Sequence, residues 1–71
     1  MPGRALIYQA LARNEGRYWA VTIEGWPEWG ETTAWHTSTI EEKARDLIVA
    51  KAGINPDRVI VEVTYKIGRR R

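Results

Sequence analysis

Apolar and polar residues alternate along two stretches of this chain and fall at helical spacing along a third. In residues 17–24 (RYWAVTIE), Tyr18, Trp19, Val21, Thr22 and Ile23 are aromatic or β-branched, with Trp19, Val21 and Ile23 on one face, which predicts a strand. Residues 57–67 (DRVIVEVTYKI) repeat the pattern, with Val59, Val61, Val63 and Tyr65 opposite Arg58, Ile60, Glu62, Thr64 and Lys66. Such period-two alternation belongs to a sheet covered on one face. Between these strands, Ile40, Ala44, Leu47, Ile48 and Ala52 share one face of an amphipathic helix. Thr39-Ile40-Glu41-Glu42 reads as its capping box, the Thr39 hydroxyl accepting from the Glu42 N–H while Glu42 reaches back. Ser38 with Glu41 offers the same pattern one residue earlier. Gly53, with Pro56 shortly after it, marks the stop, and Glu41 pairs with Arg45 on the solvent side.

Residues 4–13 (RALIYQALAR) are ambiguous by themselves. Ala and Leu favour helix, yet Leu6, Tyr8, Ala10 and Ala12 alternate with Ile7, Gln9, Leu11 and Arg13. The turn Asn14-Glu15-Gly16 joins them to the clear strand that follows, and a hairpin needs a second strand. Residues 4–13 are therefore assigned as the first strand. Residues 25–30 (GWPEWG) form a loop bounded by Gly and broken by Pro, and residues 31–37 (ETTAWHT) a short third strand. The expected fold is α+β: a single β-β-β-α-β domain over residues 1–68, mainly antiparallel, with one helix on one face. Residues 69–71 form a basic tail.

Size changes the picture. A 71-residue chain buries roughly 60% of its unfolded surface, so its core is small. Four tryptophans and three tyrosines supply large apolar areas, while Phe is absent. A homodimer, formed through exposed strand edges, would add to that core. With no cysteine there is neither a disulfide nor a thiolate metal site. No apolar run reaches the length of a membrane span, and the N-terminus lacks the apolar core of a signal peptide, so a cytoplasmic protein is expected. The formal charge is +2, but Arg69, Arg70 and Arg71 supply three of the eleven basic residues. The rest of the chain holds eight basic against nine acidic residues, a nearly neutral body without a phosphate footprint.

With these elements in place, the chain resembles the HicB-like antitoxin family. The likeness rests on Glu15-Gly16-Arg17-Tyr18-Trp19-Ala20-Val21, then Trp26-Pro27 with Gly30, then residues 32–37, then Thr39-Ile40-Glu41-Glu42 with Ala44. It covers roughly residues 5–65 and is nearest to short stand-alone members from actinobacteria and their phages, in which a run such as ARDLI sits in the helix. The resemblance implies a degenerate, truncated ribonuclease-H-like fold and a phage-encoded regulator that masks a small RNA-cleaving toxin. Two departures narrow it. The family loop usually reads Pro-Glu-Leu-Pro-Gly, whereas this one is Gly-Trp-Pro-Glu-Trp-Gly. The family's C-terminal DNA-binding segment is also missing after the last strand, so operator binding is not expected.

Candidate chemistry is sparse. His36 is the only histidine and has no partner carboxylate on a matching strand face, so it reads as a strand-surface residue. Ribonuclease-H chemistry needs several carboxylates converging on a divalent cation, and the strand interiors offer only Glu24 and Glu62, with Glu31 at a strand start. Strand propensity and helix capping account for the Ser and Thr residues. No enzyme activity and no cofactor is expected.

Trp19 belongs to the core face. Trp26 and Trp29 flank Pro27, either folded over the sheet edge as a lid or exposed as an aromatic anchor. Trp35 shares a face with Thr33 and Thr37, the uncovered side. The expected function is that of a non-enzymatic, antitoxin-like regulator that occludes a protein partner through Trp26, Trp29 and Trp35. An alternative is a small nucleic-acid-binding protein using Tyr8, Tyr18 or Trp35 on the open sheet face with Arg17, Arg58, Lys66, Arg69, Arg70 and Arg71. A third is a phage protein that disables a host factor.

Overall fold

The computed structural model describes residues 4–66 of the chain. Four strands and one α-helix follow in the order β1 (Leu6–Asn14), β2 (Trp19–Ile23), β3 (Glu31–Ala34), α1 (Ile40–Ala52) and β4 (Val59–Lys66). They form one four-stranded sheet of order β3-β2-β1-β4. β1 pairs antiparallel with β2, and β2 antiparallel with β3, while β4 lies parallel to β1. The sheet is thus mixed but mainly antiparallel, and the β-β-β-α-β order and α+β class hold as the sequence predicts. The basic tail, Arg69–Arg71, and the expected last strand residue Ile67 lie outside the described residues.

Register decides which face is covered. Ala10 stands opposite Ile23 and Ala12 opposite Val21, while Val61 and Val63 stand beside Tyr8 and Ala10. With Val59 and Ala34, these residues make the face on which α1 packs. The helix contributes Ile40, Ala44 and Ile48, each fully buried and each four residues from the next. Ala10, Ala12, Ala34 and Ala44 are all buried, so the helix meets a floor of methyl groups filled in by Val21, Ile23, Ile40 and Ile48. Leu47, Ala52 and Val63 pack at the margin of that core.

Several boundaries are tighter than the sequence pattern suggests, and local turns explain each. β3 stops at Ala34, three residues before the expected end, because residues Thr37–Thr39 wind into a 3₁₀ turn. β4 begins at Val59 because Pro56–Arg58 form another, capped by the Asn55 side chain, which accepts from the Asp57 N–H at 2.8 Å. The capping box is a correction. Thr39 occupies the N-cap position, but its hydroxyl donates to the His36 carbonyl at 2.9 Å and makes no cap bond to the helix. The preceding 3₁₀ turn brings that carbonyl within reach, and the Thr39 N–H uses it as well, at 3.1 Å. The Glu41–Arg45 pair forms as expected, at 3.0 Å.

Gly53 closes the helix in the left-handed region at φ 69°, its N–H donating to the Val49 carbonyl at 2.9 Å. A Cβ placed there meets nothing within 4 Å, so substitution acts through the backbone alone. Gly53→Ala is therefore expected to cost about 1 kcal/mol, read as a lower urea midpoint with an unchanged slope.

Candidate partner-binding surface

The residues joining β2 to β3 build an aromatic stack. Pro27 sets the first backbone angle of a short 3₁₀ turn, Pro27–Trp29, closed by the Trp29 N–H on the Trp26 carbonyl at 3.0 Å. In a 3₁₀ turn, side chains three apart eclipse one another. Trp26 and Trp29 are three apart, and their rings stack 4.7 Å apart at an interplanar angle of 9°. Behind them Trp29 lies against Tyr8 with ring centroids 6.1 Å apart, and both rings pack on the core. Of the two alternatives left open for this loop, each tryptophan takes one. Trp29 is the half-buried lid at the end of the sheet, and Trp26 is its outer layer, 41% exposed.

Beside the stack, the loop's Pro27 and Gly30 join Thr22, Ile23, Glu24 and Glu31 around a shallow groove of about 390 Å³. Thr22 and Glu31 are cross-strand partners, so the groove runs along the β2–β3 edge of the loop. A fixed, outward-facing indole next to a groove suits a protein surface, since it supplies contact area at low entropy cost.

Trp35 sits elsewhere. It lies past the end of β3, 63% exposed, and pairs with Tyr18 at 5.6 Å. That places it at the other end of β2 from the Trp26 loop. The three tryptophans expected at one interface therefore separate into a stacked pair and a distant one.

The uncovered face of the sheet is mixed. Ile7 and Ile60 are cross-strand neighbours at one end, 59% and 43% exposed. Next to them the Gln9 amide donates to Glu62 at 2.7 Å. Further along, Arg13 is hydrogen-bonded to Glu15 and lies 3.9 Å from Glu31, and the Glu15 bond and charge push its pKa above the ordinary guanidinium value. Arg13 is thus occupied by carboxylates. Arg17 and Lys66 lie near the Tyr18 and Trp35 end of this face, because Arg13 is level with both Lys66 and Ala20. Arg58 lies just before β4, eight residues back from Lys66 and about 26 Å away along a strand, and its Nε donates to the Arg4 carbonyl at 3.3 Å. Among the described residues, the basic side chains named for nucleic acid are therefore divided, Arg17 and Lys66 toward one end and Arg58 at the other.

Gln9 stands between Glu62 and the end of β2, where the Glu24 N–H donates to the Gln9 carbonyl at 2.8 Å. Glu24 and Glu62 are thus about two strand spacings, or ~10 Å, apart. Among the described residues no three His, Asp or Glu side chains come together as a metal site, and no helix is long and apolar enough to cross a membrane. His36 is exposed at the start of the turn before α1. Comparison with protein-family models, curated proteins and solved structures finds no match for this chain.

Proposed function

We propose that this chain is a non-enzymatic protein-binding module that acts by occluding its partner, in the manner of a HicB-like antitoxin. One observation carries the proposal: Trp26 stacks on Trp29, which packs on Tyr8 and the core, and still presents an exposed face. Aromatic side chains fixed in this way dominate protein interfaces. The β-β-β-α-β order and the residues that carry the family likeness support the antitoxin form of the proposal, with a small toxin or a host factor as the occluded protein.

A second reading, nucleic-acid binding, draws on the Tyr18–Trp35 pair, with Arg17 and Lys66 toward the same end of the sheet. The two readings separate in one experiment. The tagged chain is used to capture partners from host lysate with and without nuclease, and the captured species is then purified and titrated with the full chain and with a variant lacking Arg69–Arg71. The protein-binding proposal expects capture to survive nuclease and the truncated variant to bind within about threefold of the full chain. Retention abolished by nuclease, with a salt slope reduced by up to about three when the arginines are removed, would establish the nucleic-acid reading instead.

A further inference from the structure

The two edges of the sheet are unequal. β3, at one edge, is four residues long and ends in a 3₁₀ turn, so it offers little backbone to an incoming strand. β4, at the other, pairs with β1 in unbroken register over eight residues and contains neither a proline nor a bulge. Its outer edge has no strand beside it among the described residues. Natural sheets usually protect such an edge with short length, charged side chains, proline, bulges or a cover. Of these, β4 carries only charges, Glu62 and Lys66, and they are of opposite sign.

We propose that the outer edge of β4 binds the β4 edge of a second copy of this chain, antiparallel about a two-fold axis at Thr64. The strand's own charges select this register. With Thr64 opposite its copy, Glu62 faces Lys66 of the second copy, twice over, and all of these side chains lie on the open face. Glu62 holds Gln9 through one carboxylate oxygen, leaving the other for that contact. On the helix side the same register sets Val63 against Tyr65, a residue 49% exposed in the single chain whose ring meets Trp19 edge-on at 5.5 Å. Sliding two residues one way places Glu62 against Thr64 and leaves Lys66 facing Ile60. Sliding four places Glu62 against its own copy and Lys66 against Arg58, a like-charge arrangement in both cases. The result is one continuous eight-stranded sheet joined through residues 62–66 of the two copies, independent of the Trp26 loop at the opposite side of β1.

The absence of native cysteine makes the test direct. Opposed residues of an antiparallel pair have Cα atoms about 4.5–5.5 Å apart, within the range a disulfide spans. Thr64→Cys is expected to crosslink to its copy under mild oxidation, whereas Ile7→Cys, also exposed but on β1, is not. In sedimentation equilibrium the native chain is expected to give twice its 8.2 kDa mass. Lys66→Glu should weaken the dimer about tenfold or more, and Glu62→Lys combined with Lys66→Glu should restore it. A native chain that stays monomeric overturns the proposal. So does a dimer indifferent to the charge changes, or one that crosslinks through Val63→Cys and not through Thr64→Cys.

Discussion

Ile48→Ala is expected to lower the melting temperature of the chain by about 15–20 °C, while Ile7→Ala moves it by only a few degrees. Both remove the same atoms from the same residue type. Ile48 is fully buried between α1 and the sheet, whereas Ile7 is 59% exposed on the uncovered face. Truncating a buried Ile costs about 2–5 kcal/mol, because a cavity remains that a close-packed core fills only in part. A domain of this size holds about 4–11 kcal/mol in total, and each kcal/mol is worth about 4–8 °C. Ile48→Ala thus removes a large share of the stability. Thermal unfolding followed by circular dichroism checks both variants. A fall of less than 5 °C for Ile48→Ala would mean that the helix does not close the core, and an equal fall for Ile7→Ala would mean that the open face is covered in solution.

Trp26→Ala and Trp29→Ala are expected to separate binding from stability. Trp29 rests on Tyr8 and the core, so its loss opens the end of the core and costs about 3 kcal/mol of folding free energy. The Trp26 ring stacks on Trp29 and is not among the side chains packed on the core, so its removal costs about 1 kcal/mol, mainly the stacking contact. Under the proposed function both variants weaken the partner, Trp26→Ala by about 30-fold or more in a chain that remains folded. Urea denaturation gives the first quantity and calorimetric titration the second. Equal destabilisation by the two variants would show that Trp26 is a structural residue.

Much of the fold was legible because side-chain period reports burial directly. Trp19, Val21 and Ile23 on β2, and Val59, Val61 and Val63 on β4, alternate toward the core as their spacing implies. Ile40, Ala44 and Ile48 do the same at helical spacing. The first strand was legible only through its neighbour, since its alanines favour helix in isolation and are chosen here for their size beneath α1. Strand order was not legible. Alternation names the buried face of each strand but not the strand beside it, so nothing along the chain announced that β4 would run parallel to β1.

The 3₁₀ turns account for most of the remaining differences. Each needs only three residues and one hydrogen bond, too little to leave a hydrophobic period. They shortened β3 and β4 and redirected the Thr39 hydroxyl from the helix to His36. They also decided the site. The i, i+3 spacing of Trp26 and Trp29 across Pro27 was visible in the sequence, and a proline-initiated 3₁₀ turn converts that spacing into a stack. Trp35 carried no such signal, and its pairing with Tyr18 depends on the register of β2 with β3.

The measurement that bears most directly on the proposed function is the affinity of the purified captured partner for the native chain, Trp26→Ala and Trp35→Ala, titrated side by side under the same salt. Protein occlusion through the Trp26 loop predicts a loss of about 30-fold or more for Trp26→Ala and less than about threefold for Trp35→Ala. Native affinity in a folded Trp26→Ala chain, with the loss appearing at Trp35 instead, would contradict it and move the interface to the open face of the sheet.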